Sequence, residues 1–398
     1  MEFREFGRGT LETVTELWPE GCNPVDVPVY VNEFWTAKQR AAHSLHEISY
    51  RACFKPQLPR FFLSRLTRPG DRVYDPFMGR GTTLLEAALT GRRAVGCDAS
   101  PLAGVLAAPR LAPPTMEAVA ARLEGMTLTG AHDAPADLLA FFHPDTLGEI
   151  CALRRHLQES EGRRSLDGVD VWIRMVTLNR LTGHSPGFLS VYTLPPNQAT
   201  SAEAQRRINS RRGQTPPRRD LRKILLKKTA SLLSDCDGAT RAALKGARPL
   251  LLTADAASTP QIRSGSVRLV VTSPPFLDVV DYAADHWLRC WFLGVDPASV
   301  HLSVLRRLPD WQAKMTSVFR ELRRVLAPGG HIAFEVGEVR GGRIRLEEAV
   351  VPAALAAGLE PVLVLIHQQK FTKTANCWGV DNNAKGTNTN RVVLLRKP

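Results

Sequence analysis

Two short segments of this 398-residue chain carry side chains whose types and spacing suit chemistry. The first is Asp75-Pro76-Phe77-Met78-Gly79-Arg80-Gly81-Thr82-Thr83, between a strand-like run and a helical one. Two glycines one residue apart let the backbone turn tightly and let a ligand approach the main chain. Thr82 and Thr83 suit the cap of the following helix. Asp98 ends the next strand-like run, and an acid there typically bonds the two hydroxyls of an adenosine ribose. The third glycine of the dinucleotide pattern is missing, and Asp75 sits inside the loop. A carboxylate there would repel a pyrophosphate but suits an ammonium group. The second segment is Thr272-Ser273-Pro274-Pro275-Phe276. Consecutive prolines cannot donate backbone hydrogen bonds, so the carbonyls around them are fixed and open to accept. Phe276 offers a stacking face for a planar base. Acceptors at Ser273 and the Pro274 carbonyl suit methyl transfer to an exocyclic amine, a poor nucleophile that must be held with its lone pair exposed. Proximity and orientation would supply most of the catalysis.

The elements that must position these groups follow from hydrophobic patterning. Short, nearly continuous apolar runs recur at Arg72–Tyr74, Ala94–Cys97, Leu250–Thr253, Val267–Thr272, Ile332–Val336, Val362–His367 and Val392–Leu395. They suit strands buried on both faces of a parallel sheet. Helical patterns at Thr82–Leu89, Trp311–Leu326 and Leu346–Ala357 alternate with them, giving an α/β domain. From about 109 to 248 strand patterning lapses, and helical candidates appear at Asp145–Gln158, Val169–Leu181 and Arg218–Leu233. The expected organisation is a first half over 1–108 that binds the cofactor, a mainly helical basic insertion over 109–248 and a catalytic half over 249–398. The fold class is a doubly wound, Rossmann-like sheet with that insertion.

Together the two motifs resemble the DNA amino-methyltransferases that use S-adenosylmethionine. The Ser-Pro-Pro-aromatic form resembles the cytosine-N4 enzymes most, whereas adenine-N6 enzymes usually carry Asp or Asn first. The resemblance extends to Phe54-Lys55-Pro56-Gln57-Leu58-Pro59, a cofactor-side lead-in, and to Leu252-Thr253-Ala254-Asp255. It implies a methyltransferase sheet with S-adenosylmethionine held by Lys55, Pro56, Asp75, Phe77, Gly79, Gly81, Thr82, Thr83, Asp98 and Asp255. Asp255 would meet the adenine. Ser273, Pro274, Pro275 and Phe276 would form the catalytic set, acting on a base flipped from duplex DNA. Two departures stand out: Phe276 replaces the usual Tyr, and the insertion precedes Asp255, one strand earlier than the family arrangement. Adenine N6 is the next target in order, then an amine of RNA. A regulator on an inactive methyltransferase fold and a nicotinamide oxidoreductase are the readings from other classes.

Charge narrows the partner. Lys and Arg number 52 against 39 acids, a net +13 that calls for a polyanion. Between Glu203 and Lys228 ten basic residues face two acids. Arg206, Arg207, Arg211, Arg212, Arg218, Arg219 and Lys223 are the expected contacts to DNA phosphates. The loop from His184 to Gln198, together with Gln205 and Asn209, is the expected reader of base edges. Tyr282, Asp285, His286 and Trp287, at helical spacing after the second motif, would line the base pocket, and the Asn/Gly-rich stretch 376–390 would form a hairpin loop beside it. Seven widely spread cysteines without a CxxC pair read as reduced thiols rather than disulfides or a metal site. No run of 18 apolar residues exists and the first residues are polar, so no membrane association is expected. The expected setting is a prokaryotic cytoplasm, at the nucleoid, with a restriction endonuclease as a further partner.

Overall fold

A computed structural model of the chain describes residues 10–17, 25–35, 42–50, 53–129, 134–194, 200–277, 282–296, 305–340, 343–368 and 389–398. Its strands are β1 (Leu11–Leu17), β2 (Val25–Asn32), β3 (Arg72–Asp75), β4 (Arg93–Asp98), β5 (Leu250–Thr253), β6 (Val267–Thr272), β7 (Leu326–Val336), β8 (Glu338–Val339), β9 (Ile344–Arg345), β10 (Glu360–Gln368) and β11 (Thr389–Arg396). The helices are α1 (Gln57–Leu66), α2 (Thr82–Leu89), α3 (Pro101–Leu111), α4 (Met116–Gly125), α5 (Pro144–Gly162), α6 (Gly168–Arg180), α7 (Ala202–Arg212), α8 (Leu221–Leu233), α9 (Gly238–Gly246), α10 (Tyr282–Leu293), α11 (Leu308–Val325) and α12 (Glu347–Ala356).

The main sheet runs β1-β2-β10-β11-β7-β6-β3-β4-β5. Strands β5, β4, β3, β6 and β7 are mutually parallel, and β11 lies antiparallel between β7 and β10. Helices cover both faces, as a doubly wound fold requires. The chain leaves β3 toward β4 on one side, yet β6 pairs on the other. The strand order therefore reverses at β3, and the crevice beyond the carboxyl ends of β3 and β6 is where such sheets bind ligands.

Each apolar run read as a strand lies within a sheet strand. The β1–β2 hairpin at one end of the sheet was not anticipated. β1 is mostly polar and lies at the sheet edge, with Leu11 and Val14 60% and 64% exposed. Between β4 and β5 the chain passes through α3 and then α4–α9. These helices share one apolar core with a sheet face: Leu123, Leu147, Trp172, Leu221 and Leu244 join Val73, Ala94, Leu269, Val271 and Ala333. Trp172 Nε1 donates to Thr229 Oγ1 at 3.1 Å, tying α6 to α8 inside that core. The opposite face packs Tyr74, Val270, Ile332 and Phe334 against α11 and α12. Among the described residues no helix is long and apolar enough to cross a membrane, and no cluster of His, Cys, Asp or Glu could hold a metal ion.

Candidate active site

Asp75, Phe77, Gly79, Thr82 and Ser273 converge on one open-mouthed cavity at the strand-order reversal, with Tyr50, Cys53, Phe54, Met78 and Arg80 completing its walls. The convergence follows from topology, since Asp75 ends β3 and Ser273 follows its neighbour β6.

The glycine loop is shaped by its backbone. Gly79 and Gly81 have φ of +47° and +76°, values that favour glycine. A Cβ on Gly81 would come within 2.8 Å of Ala107, and one on Gly79 within 3.2 Å of the Tyr50 ring. The threonines do not cap α2, as their types suggested. Gly81 occupies the cap position, and Thr83 Oγ1 instead donates to the Val271 carbonyl at 3.0 Å, joining α2 to β6. Thr82 Oγ1 accepts from Arg80 Nε at 3.0 Å. Asp98 fixes the loop from below, accepting from the Gly79 N–H and the Ser100 N–H, each at 2.9 Å.

Asp75 is fully buried, and burial pushes its carboxyl up to about 7 despite hydrogen bonds that favour the charged form. Its Oδ1 accepts from Thr272 Oγ1 at 2.6 Å and from the Phe77 N–H at 3.1 Å. The adjacent residue, Ser273, is level with a second buried carboxyl, Glu335 on β7. Burial raises Glu335 to about 7 as well. Sequence reading passed over Glu335, although a single charge inside the apolar run Ile332–Val336 was the available signal.

A second missed feature is the clamp that ties residues 45–48 to the glycine loop. Arg80, 4% exposed, donates from Nη1 to the Ile48 carbonyl at 2.9 Å and the His46 carbonyl at 3.3 Å. Buried Arg110 donates to the carbonyls of Leu45 and Arg80. Its own burial, followed by repulsion from Arg80, lowers it to about 9. Burial holds His46 down to about 4, and its Nε2 pairs with Glu86, which also takes Arg60 Nε at 2.8 Å.

The other expected site residues stand outside the cavity wall. Pro56 is the buried residue at the start of α1, and the Lys55 carbonyl accepts from the Leu58 N–H at 3.0 Å. Asp255 is 56% exposed and pairs with Lys314 Nζ at 2.6 Å. Partial burial would raise its carboxyl, yet Lys314 and the Ala257 N–H bring it below the ordinary range. The Pro275 carbonyl accepts from Trp311 Nε1 at 2.9 Å, which ties the motif to α11. Phe276 is half-buried and packs on the α11 side of the sheet. His286 stacks on Tyr50 with centroids 5.2 Å apart, and Trp287 Nε1 donates to the Thr200 carbonyl at 3.2 Å. These contacts join the cavity wall to α10, and α10 to the start of α7.

On the insertion, Arg206, Arg207, Arg211, Arg212, Arg218, Lys223 and Lys227 are exposed, while Arg219, Arg222 and Lys228 are half-buried. Acids distant in sequence join them. Asp137 pairs with Arg206, Asp145 and Glu149 with Arg218, and Glu47 with Lys228, in addition to the local pair Glu203–Arg207. The local field is therefore weaker than the residue count suggested. Arg212 lies over the Tyr192 ring, 3.8 Å from its centroid. Two expected base readers are turned inward. Gln205 is buried and donates to the Tyr192 carbonyl at 3.0 Å, and Asn209 donates to the Ala140 carbonyl at 2.7 Å. The loop before them is also packed, with Phe188, Leu189, Ser190 and Val191 buried. Asn197, Gln198, the side chain of Tyr282 and the stretch 376–388 lie outside the described residues.

Residues 12–103 match the N6_N4_Mtase family model, described as DNA methylase. The Type II methyltransferase M.MjaII of Methanocaldococcus jannaschii is 38% identical over 74 residues, which are 19% of this chain and 14% of that protein. TrmN from Thermus thermophilus is 15% identical with a TM-score of 0.34, over 87% of this chain and 50% of that one. A geranyl diphosphate C-methyltransferase of Streptomyces coelicolor A3(2), solved with S-adenosyl-L-homocysteine, gives 9% identity and a TM-score of 0.36 over 86% and 76%. At such scores the structural likeness says nothing of function. The chain spans a small part of the M.MjaII relative and half of TrmN.

Proposed function

We propose that this protein is a DNA amino-methyltransferase that uses S-adenosylmethionine, with cytosine N4 in duplex DNA as its target. The match to DNA methylases over 12–103 and the M.MjaII relative support the amino-methyltransferase class. The observation that carries the reading is the single cavity into which both Asp75 and Ser273 open.

The cavity suits the cofactor. Its floor is a left-handed glycine turn whose Gly79 leaves the main chain bare beneath the Tyr50 ring. A carboxyl at Asp75 lines the same space, able to take a cation there. Asp75, Phe77, Gly79 and Thr82 would hold the bound cofactor, with Asp98 behind the loop at the end of β4. When bound, S-adenosylmethionine supplies a methyl group on an electrophilic sulfonium. The chain's own part is to hold the acceptor. Ser273 and the Pro274 carbonyl accept from the two N–H bonds of the target amine, which turns its lone pair toward the methyl donor. The conjugated amine needs that orientation more than it needs a strong base. A serine at the first motif position favours cytosine N4 over adenine N6.

Reaching the amine requires the base to leave the duplex. The helical segment 109–248, between the halves 1–108 and 249–398, is the DNA-contacting part, with its exposed arginines and lysines on phosphates. On this reading the protein works at the nucleoid of a prokaryotic cytoplasm, beside a cognate restriction endonuclease. The test is to express the chain in cells free of DNA methylation and sequence their DNA by a method that separates N4-methylcytosine from N6-methyladenine. N4-methylcytosine at one recurring sequence is expected. N6-methyladenine would move the target to adenine, and unmodified DNA from cells holding folded protein would overturn the reading.

A further inference from the structure

The amino ends of the strands, opposite the cavity, gather cations that the cavity does not use. Arg72 starts β3 and Arg93 starts β4, and the two are register partners on neighbouring strands. Arg268 on β6 stands level with Arg72, since each comes one residue before the paired Leu269 and Val73. Alternation turns all three to the side of Tyr74, Val95 and Val270, the face covered by α11 and α12. The turn at 326–330 extends the row. Arg268 Nη1 donates to its Pro328 carbonyl at 3.4 Å, and Lys397 Nζ to its Leu326 carbonyl at 2.7 Å. The last turn of α11 adds Arg323, whose Nε donates to the Gly358 carbonyl at 3.0 Å. Arg324 draws in the loop that carries Arg263, donating to the Ile262 carbonyl at 3.0 Å.

Like charges on neighbouring strands repel, and acids beside them would be the simplest remedy. Three acids lie in the same segments, and each is engaged elsewhere. Asp71 accepts from the Arg68 N–H at 2.8 Å, Glu321 pairs with Arg324, and Glu360 pairs with Arg396. Arg72, Arg93, Arg263, Arg268, Arg323 and Lys397 have no acidic partner among the described residues. Their charges bear on this end of the sheet. Burial, followed by Arg268 and Arg396, lowers His331 to about 4, and burial followed by Arg323 lowers Lys397. On the insertion, by contrast, acids distant in sequence answer Arg206, Arg218 and Lys228.

We infer that the amino end of the sheet is a second DNA-binding surface, one that holds the phosphates of a duplex without reading its bases. The strands β4, β3, β6, β7 and β11 are neighbours, which makes the face roughly 20 Å wide. That is the length of about six base pairs. Fixed cations over such a span release counterions from a duplex of any sequence. Five of the six are arginines, whose forked donors suit phosphate oxygens. A row of them in line matches a continuous phosphate backbone better than it matches scattered carboxylates. The surface lies on the side of α11 and α12, whereas the insertion packs on the other face. A straight duplex lying along one face cannot also lie along the other. One chain therefore holds two segments of DNA, one at the cavity and insertion and one behind the sheet. This goes beyond the proposed activity, because the second surface needs neither cofactor nor flipped base.

The test titrates the full chain with a duplex of random sequence across a range of salt, and counts the duplexes bound at low salt by sedimentation. Arg93→Gln, Arg263→Gln and Arg323→Gln together remove three exposed charges. They should flatten the salt slope by about 2.7 and reduce the count from two duplexes per chain to one. Arg93→Gln alone, at an exposed side chain, should flatten the slope by about 0.9. Lysine at the same three positions should keep most of the slope, because a phosphate accepts a point charge, whereas a purely structural role would not be rescued. A wild-type slope and count in the glutamine set would overturn the inference. So would polyglutamate that displaces the second duplex as readily as free DNA does, which would assign the surface to an acidic protein. The methyltransferase reading fails separately: protein that binds two duplexes and methylates neither overturns that reading and leaves the surface standing.

Discussion

The floor of the cavity and the surface of the insertion use charge in opposite ways. Near the cavity two carboxyls, Asp75 and Glu335, are buried and pushed up to about 7. On the insertion ten basic residues lie within one stretch of chain, yet several are answered by Asp137, Asp145, Glu149 and Glu47 from elsewhere in the sequence. Two groups dominate one region because water is excluded, whereas ten are diluted in the other because it is not. Environment, more than number, decides what a charge can do.

The largest effect that tests this contrast is on stability. Glu335 has a folded value of about 7 against an ordinary 4.5. Between these values the unfolded chain has released the proton and the folded chain retains it, so stability falls as pH rises through this window. The full cost is present above about pH 7. Glu335→Gln removes the titration, so its stability relative to wild type should rise with pH and level off above 7. The gain between the two ends should be about 3 kcal/mol. Denaturant unfolding at intervals from pH 5 to pH 8 measures it, and a difference that is flat with pH would mean the carboxyl is ionised throughout.

Asp75 gives the next effect, with the opposite outcome for binding. Near 7 its carboxyl is mostly neutral at pH 6 and mostly ionised at pH 8. A ligand ammonium prefers the ionised form, so the affinity for S-adenosylhomocysteine should rise about tenfold over those two units. Asp75→Asn should bind more weakly and lose the dependence, whereas Glu335→Gln should keep it. Calorimetry in two buffers of different ionisation heat would also register the proton released on binding. Equal pH dependence in wild type and Asp75→Asn would assign the titration to another group.

What could be read in the sequence and what could not divide along the same line. The strands of the parallel sheet were legible because burial on both faces makes continuous apolar runs, and Asp75 and Ser273 because they sit in motifs at strand ends. Glu335 was not, since one acid in an apolar strand gives no sign of which face it takes or what it meets. Arg80 drew no role from its place between two glycines, and its partners, the carbonyls of His46 and Ile48, lie more than 30 residues away in sequence. Gln205 and Asn209 were read as base-edge readers, but hydrogen bonds to the carbonyls of Tyr192 and Ala140 turn them inward. The edge strand β1 is mostly polar, without the continuous apolar run that marks the strands of the central sheet.

The smallest effect separates charges within the insertion. If the basic stretch meets DNA, each phosphate contact releases counterions and contributes about 0.9 to the salt slope of binding. Arg211, Arg212, Lys223 and Lys227 have no acidic partner among the described residues, whereas Arg206, Arg207 and Arg218 are paired with Asp137, Glu203, Asp145 and Glu149. A paired arginine must leave its carboxylate to reach a phosphate, so its replacement gives up less. Replacing Arg211 and Arg212 together should therefore flatten the slope by nearly two contacts' worth. Replacing Arg206 and Arg207 should flatten it by less, with affinity at 0.1 M salt weakened only a few-fold. Fluorescence titrations of a duplex from 50 to 200 mM salt measure both. Equal losses would show that the surface pairs open at no cost, as exposed ion pairs of median strength can. An unchanged slope in both would mean that this face of the insertion looks away from DNA and that contact is made elsewhere.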